Sequence, residues 1–353
     1  NSDTILLPNS LFWLKMGLYE SEKVGSTGSM SNFSAGGQMI DREWRSTDEI
    51  ISYGIKANVP MKYPYEYKMF LIGFSLLLKR SVLDEIGLLD ERFNPGNSED
   101  LDICFRILKS GRVNLLCHNS FVVHFGHKSF EELQKTGRDF NTLLLKNNKK
   151  LEDKLEFNFW PCLNDMKTNA ISRMPSIRSS RLRILDIGCG MGSSACIIKT
   201  FFPDAEYIGV EEDKKKAAYA KAFGQVICQG PEKIDFSEYL SEKSLDYVIY
   251  SDDNNSRKVK ETVKKIRPFL KQNGSVINDF HKPVLSISLL CNGKHKKETI
   301  KCLESLMTIR NRLDSEIIIV DTGCNDEMHQ FICKYADQVV PFKWCDDFAK
   351  ARN

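Results

Sequence analysis

Arg183-Ile-Leu-Asp-Ile-Gly-Cys-Gly-Met-Gly192 is the stretch on which the reading of the fold turns. Its apolar start predicts a strand over Ile184–Ile187, and the glycines at 188, 190 and 192 predict a tight turn directly after it. A helix is expected from Ser193. Glycines in that place let a ligand approach the backbone where a helix N-terminus leaves N–H groups unpaired. Further strands are expected at Tyr207–Glu211, Val226–Cys228, Tyr247–Tyr250 and Ser275–Ile277. Helices are expected at Ser193–Phe202, Lys214–Phe223 and Lys258–Leu270. This alternation predicts an α/β domain with a parallel, doubly wound sheet over residues 183–282. Glu211 closes the second strand in Tyr207-Ile-Gly-Val-Glu-Glu, where a carboxylate can grip two ribose hydroxyls.

Strand, glycine turn, helix and strand-end acid in this order resemble the class I S-adenosylmethionine-dependent methyltransferases. The cue is Asp186-x-Gly-x-Gly-x-Gly; a nicotinamide dinucleotide site would favour G-x-G-x-x-G. The resemblance implies a Rossmann-like fold with S-adenosylmethionine as cofactor. It makes Asp186, Gly188, Gly190, Gly192 and Glu211 the cofactor-binding residues. After the fourth strand, Ser251-Asp-Asp-Asn-Asn255 is polar but carries no methyl-transfer motif, so a binding or spacer module stays open beside an active methyltransferase.

Upstream, Asn97-Ser-Glu-Asp100 opens an amphipathic helix in which Leu101, Cys104, Phe105 and Leu108 fall at i, i+3, i+4 and i+7, with Gly111 as its stop. A carboxylate fixed at that helix mouth can act as a general base for a hydroxyl. Equally, Ser98 can cap the helix while Glu99 and Asp100 complement its dipole. Asp3 lies in a turn where a carboxylate can hold Mg²⁺ or Mn²⁺ against a diphosphate, or is a plain turn residue. Gly73 sits in the apolar run Leu71-Ile-Gly-Phe-Ser75, read as a strand in which a missing side chain admits a ligand or marks a bulge. His124 ends the run Phe121-Val-Val and is either a metal ligand or a hydrogen-bonded structural histidine.

Leu71–Arg80, Val82-Leu-Asp-Glu-Ile-Gly-Leu-Leu-Asp-Glu-Arg-Phe93, Ser98-Glu-Asp-Leu-Asp-Ile-Cys-Phe-Arg106 and Val122-Val-His-Phe-Gly126 occur in one order. Together they resemble the second half of a family 2 glycosyltransferase of the GT-A fold. The resemblance makes Asp3 the last acid of a D-x-D type motif and His124 the second metal ligand. Asp100 becomes the catalytic base, with Glu99 beside it, and Gly73 part of a glycine loop near donor and acceptor. Near Lys282 the pattern restarts, with strand, helix and strand expected at Leu285–Leu290, Lys297–Met307 and Glu316–Val320. Val320-Asp-Thr-Gly and Trp344-Cys-Asp-Asp-Phe-Ala-Lys-Ala-Arg-Asn353 resemble the nucleotide-binding half of the same family. That resemblance implies nucleotide-sugar contacts from Asp321, Arg352 and Asn353; a turn or N-cap acid is the other reading of Asp321. Where relatives commonly carry Lys-Asn-Glu after the first strand, this chain has Asn292-Gly293-Lys294.

Four segments are thus expected: residues 1–150 as the acceptor and metal half of a GT-A domain, 151–182 as a linker, 183–282 as the methyltransferase-like domain and 283–353 as the nucleotide half of a second GT-A domain. The expected activity is an inverting glycosyltransferase moving a sugar from a nucleotide-sugar donor to a hydroxyl of a cell-surface glycan or glycoprotein. The alternatives are an S-adenosylmethionine-dependent methyltransferase with non-functional glycosyltransferase segments, or a non-catalytic scaffold. The composition, 42% hydrophobic and 27% charged with a net charge of +3, is that of a globular protein and gives no ground for nucleic-acid binding. Eleven cysteines without a C-x-x-C pair point to reduced thiols and a cytoplasmic place, or a peripheral one at the inner membrane face. The longest apolar run, Met69–Leu78, is about half a membrane span, so no transmembrane segment is expected. A start at Asn1 suggests a piece of a longer protein.

Overall fold

In the computed structural model the chain begins with β1 (Thr4–Leu6), α1 (Ser10–Leu18), β2 (Val24–Ser31), α2 (Thr47–Ala57), β3 (Tyr65–Lys68), β4 (Leu76–Leu78), α3 (Arg80–Ile86), α4 (Glu99–Lys109) and β5 (Val113–His124). Three helices follow: α5 (Phe140–Leu155), α6 (Trp160–Asn164) and α7 (Thr168–Ser172). The middle of the chain alternates β6 (Arg183–Ile187), α8 (Ser193–Phe201), β7 (Glu206–Val210), α9 (Lys214–Ala220), β8 (Gln225–Ile227), β9 (Leu245–Tyr250), α10 (Arg257–Ile266) and β10 (Leu270–Asn278). The last part carries β11 (Leu285–Cys291), α11 (Lys296–Arg310), β12 (Ser315–Asp321), α12 (Asp326–Ile332) and β13 (Gln338–Pro341). The structure describes residues 1–126, 140–174, 181–252, 257–280, 285–310, 315–333, 335–336 and 338–342.

Two compact units result, one of residues 1–166, 189–200 and 209–229, the other of residues 167–188, 201–208 and 230–353. In the first unit β5 is the central strand. It pairs in parallel with β2 along one edge, and antiparallel with β3 and β1 along the other. β4 extends the sheet beyond β2. The core under it gathers Leu7, Met30, Leu71, Ile103, Leu116, Phe121 and Val123. β2 reads Val-Gly-Ser-Thr-Gly-Ser-Met-Ser and is buried at every position. Its small residues let helices lie close: a Cβ on Gly25 would stand 2.6 Å from Ile107 of α4. Two of its hydroxyls are paired inside, Ser26 donating to Asn114 Oδ1 at 2.7 Å and Thr27 to the Leu14 carbonyl at 3.0 Å.

α4 buries Leu101, Cys104, Phe105 and Leu108 as their spacing predicts, and also Asp102, Ile103 and Ile107. Asp102 is tolerated inside because Arg106, at 2.9 Å, and Lys154, at 2.5 Å, pair with it. Ser98 does not cap the helix. It takes a left-handed backbone with φ 72°, and its hydroxyl donates to Asn148 Oδ1 at 2.9 Å instead. Between Ser31 and Tyr67 lies the amphipathic helix α2, capped by Ser46, which accepts from the Glu49 N–H. Two further expectations differ from the fold. Leu71–Ser75 is a turn between β3 and β4 rather than a strand. Residues 151–172 are not an open connection, since they end α5 and form α6 and α7, with Leu151, Phe159, Leu163 and Ile171 buried.

The middle sheet has the order β10-β9-β6-β7-β8, with β9 parallel to both β6 and β10. The chain steps outward from β6 to β8 and then returns on the other side of β6, which makes β6 the point where strand order reverses. Ligands of open α/β sheets bind beyond the strand C-termini at such a point. The expected strands and helices here are all found, displaced by one or a few residues at their ends. The last sheet, β11-β12-β13, is parallel and packs Cys291, Ile317 and Ile319 against Leu303 of α11 and Met328 and Ile332 of α12. Among the described residues no helix is long and apolar enough to cross a membrane.

Candidate functional site

The turn after β6 carries two kinds of glycine. Gly188, Gly190 and Gly192 all have positive φ, at 69°, 55° and 96°. A Cβ at Gly188 or Gly190 would meet nothing within 4 Å, whereas at Gly192 it would stand 2.8 Å from Phe223 and 3.1 Å from the Ala220 backbone. Gly192 is therefore glycine for packing against the end of α9. Gly188 and Gly190 leave bare backbone facing open space. Gly190 N–H donates to Glu211 Oε2 at 2.9 Å, and Asp213 N–H to Oε1 at 2.9 Å, so the strand-end acid is clamped beside the turn. Each carboxylate oxygen keeps a further lone pair for a ligand hydroxyl.

Asp186 behaves differently from the expectation that it touches a cofactor. It is fully buried, accepts from the Tyr207 hydroxyl at 2.8 Å and pairs with Lys167 Nζ at 2.9 Å. Lys167, itself buried, also donates to the Gly188 carbonyl at 2.8 Å. A single ammonium thus neutralises the motif acid and holds the first glycine peptide. Sequence reading missed Lys167, because a lone lysine before a Ser-rich stretch carries no periodic or motif signal.

In the first unit the structure brings Asp3, His124, Gly73 and Asp100 together in two linked pairs. Asp3 Oδ2 lies 3.5 Å from His124 Nε2, both side chains being nearly buried, and Asp3 Oδ1 is buried with no hydrogen-bond partner. His124 Nδ1 faces the Phe33 carbonyl at 2.8 Å; a carbonyl only accepts, so Nδ1 carries the proton and Nε2 is turned to Asp3. Phe74 stacks on the His124 ring at 4.9 Å. Its neighbour Gly73 donates its N–H to Asp100 Oδ2 at 2.9 Å, and a Cβ on Gly73 would touch Asp100 at 3.4 Å. Burial pushes the Asp100 carboxyl up, against the N–H groups of Gly73 and Leu101 that favour its charge. Glu99 is pushed up as well, by burial first and then by the Asp100 charge, and its Oε2 is buried without a partner. The Phe33 and Phe74 contacts were not foreseen; the position of Phe74 next to Gly73 was the available cue.

Asp321 ends β12 as expected. Its Oδ1 accepts from the N–H groups of Gly323 at 3.0 Å and Cys324 at 2.7 Å, and its Oδ2 faces His329 Nδ1 at 2.7 Å. Burial opposes its charge, but the Cys324 N–H, His329 and the Gly323 N–H together hold the carboxyl down at about 2. It is not the cap of α12; Asn325 is, accepting from Met328 N–H at 2.9 Å. Arg352 and Asn353, expected at the nucleotide, lie outside the described residues. Among the described residues no cluster of three or more His, Cys, Asp or Glu side chains is arranged to hold a metal, so the expected Mg²⁺ or Mn²⁺ ligands amount to the Asp3–His124 pair.

No family model matches the chain, and no curated protein matches it. Solved structures do. The complex between the Haloferax volcanii Trm112 methyltransferase activator and a putative methyltransferase is 16% identical over 38% of this chain and 55% of that one, with a TM-score of 0.28. An S-adenosylmethionine-dependent methyltransferase from Mesorhizobium loti is 21% identical over 34% of this chain and 51% of that one, with a TM-score of 0.26. The Haemonchus contortus phosphoethanolamine N-methyltransferase 2, solved with S-adenosyl-L-methionine, is 21% identical over 32% of this chain and 27% of that one, with a TM-score of 0.26. The chain thus spans about half the length of the first two and about a quarter of the third. All three are methyltransferase structures and none is a glycosyltransferase. At such scores the likeness adds no weight to the geometry of the glycine turn.

Proposed function

We propose that residues 183–282 bind S-adenosylmethionine and that the chain is an S-adenosylmethionine-dependent methyltransferase. The observation that carries the reading is the clamp at the turn after β6, where Gly190 donates to Glu211 while the Cβ positions of Gly188 and Gly190 stay open. Bare peptide beside a fixed carboxylate fits an adenosyl ligand: the backbone takes its polar tail, and the Glu211 oxygens accept from its ribose hydroxyls. When bound, S-adenosylmethionine supplies an electrophilic methyl group on a sulfonium. Transfer to a nucleophile is a single displacement that asks for alignment and needs no covalent enzyme intermediate. Asp186 serves the turn from within, through Lys167. Calorimetric titration with S-adenosylhomocysteine tests the reading. Saturable heat is expected from the intact chain and none from Gly190→Val, whose side chain fills the open approach. Absence of heat with the intact chain at high concentration sinks it.

A second reading is favoured by the convergence of Asp3, His124, Gly73 and Asp100. In it residues 1–150 belong to an inverting GT-A glycosyltransferase. Asp100 takes the proton of an acceptor hydroxyl, with Glu99 beside it. Asp3 and His124 would hold Mg²⁺ or Mn²⁺, which would neutralise the charge of a departing nucleoside diphosphate. In the same reading Asp321, Arg352 and Asn353 belong to a second GT-A domain, residues 283–353, and contact the nucleotide bound there; the acceptor is a glycan or glycoprotein hydroxyl. Its support is an orphaned carboxylate oxygen on Asp3 beside an imidazole whose proton is committed elsewhere. Binding of Mn²⁺ in the presence of a nucleoside diphosphate, read by calorimetry, should vanish in Asp3→Asn. Equal binding by that variant removes this reading and leaves the methyltransferase one untouched.

A further inference from the structure

Cys291 is the last residue of β11, in register with Asp321 of the neighbouring strand, and Cys324 lies three residues after Asp321. Both belong to one compact unit. Their sulfurs are 3.4 Å apart, and Cys324 Sγ also lies 3.5 Å from the Cys291 carbonyl. Cys291 is buried, while Cys324 is partly open to solvent. Neither thiol is used by the readings above, although both stand at the strand ends where an α/β sheet takes its ligand. A thiol at a surface with a second one buried directly behind it is the arrangement of an attacking and a resolving cysteine.

We propose that Cys291 and Cys324 form a reversible disulfide site that ties the end of β11 to the loop after β12. The oxidant is a low-molecular-weight disulfide such as glutathione disulfide. The Cys324 thiolate attacks one of its sulfurs; that S–S bond breaks, one glutathione thiolate leaves and a mixed disulfide forms. The Cys291 thiolate then attacks the Cys324 sulfur and expels the second glutathione. Two protein thiols are oxidised, one glutathione disulfide is reduced to two thiols, and the two cysteine protons pass through water to the departing thiolates. The groups facing Cys324 are Cys291 from β11 and Asp321 from β12, the latter paired with His329 of α12. Burial first, then Cys291 and Asp321, push the Cys324 thiol up, so the exchange quickens about tenfold per pH unit while the pH stays below its pKa.

The full chain, equilibrated with glutathione disulfide at mildly alkaline pH, is acid-quenched, alkylated and mapped by peptide mass spectrometry. Most molecules should show a peptide linking Cys291 to Cys324, abolished by dithiothreitol. Cys302, exposed on α11, should carry only the mixed disulfide. Recovery of Cys291 and Cys324 as alkylated thiols while Cys302 is glutathionylated overturns the proposal. So does a linked peptide in which either cysteine is joined as often to Cys302 or Cys333. In Cys324→Ser, checked for folding by circular dichroism, Cys291 should stay a thiol. The wild-type map decides the matter whatever that variant does.

Discussion

Lys167 is the residue whose removal should be felt most. Its ammonium and the Asp186 carboxylate are both almost wholly out of water, so neither charge can fall back on solvent. Lys167→Met should cost about 3–5 kcal/mol of stability, the range for taking one partner from a buried pair, and Lys167→Met with Asp186→Leu should recover most of it. Urea unfolding of the three proteins measures this; a single variant within about 1 kcal/mol of wild type refutes the pairing. The glycines make a second contrast. Gly192→Ala drives a Cβ into Phe223 and the Ala220 backbone at a φ of 96°, and should lose about 1–3 kcal/mol of stability. Gly190→Ala meets open space and pays only its left-handed backbone, about 1–2 kcal/mol, but should weaken S-adenosylhomocysteine more than its stability change explains. Equal effects of both on binding and stability would dissolve the distinction between a packing glycine and a ligand-facing one.

At the scale of elements, the N-terminus of α4 decides a pH dependence. Glu99 and Asp100 are both pushed above ordinary carboxylate values. In the window between the ordinary and the raised values the folded chain therefore holds more protons than the unfolded one, and stability falls as pH rises through it. Glu99→Gln removes one of these groups. Its stability relative to wild type should improve as pH rises from the ordinary carboxylate value through the raised one, by up to about 1.4 kcal/mol for each pH unit by which the group is displaced. Urea midpoints at several pH values measure it, and a relative stability of the variant that stays flat or falls as pH rises contradicts the buried placement. The elements also divide by how well they could be read. α4, β6 and β12 were legible because apolar spacing and a terminal glycine or acid mark them. β2 was not, because its burial is achieved with Gly and Ser against close helices rather than with an alternating apolar pattern. Leu71–Ser75 was misread because an apolar run looks like a strand, while the Gly73 N–H is spent on Asp100 instead of a neighbouring strand. Motif order singled out Asp3, Gly73, Asp100 and His124, which the fold places in contact as two pairs, and its strand end singled out Glu211. Lys167 stayed hidden because its partner is known only once the chain has folded.

For the whole molecule, ligand binding should appear as stability. S-adenosylhomocysteine at a hundredfold excess over its Kd should add about 2.7 kcal/mol to unfolding of the part that binds it. Mn²⁺ with a nucleoside diphosphate should add a separate increment if the Asp3–His124 pair binds as well. Thermal scans with each ligand alone and with both measure this. Additive shifts mark two independent sites; a shift from neither removes both functional readings.

The long strand β5 sets a timetable for synthesis. It joins His124 to Thr4 and Val113 to Val24, and the unit it organises also includes residues 189–200 and 209–229. A ribosome making this chain must carry β1 without its partner β5 until residue 124 has emerged, and must pass residue 229 before that unit has all its parts. Pairings this distant in sequence form slowly. In the interval the bare edge of β1 is a template for other chains, which puts the hazard of misassembly in the nascent protein rather than in the finished one.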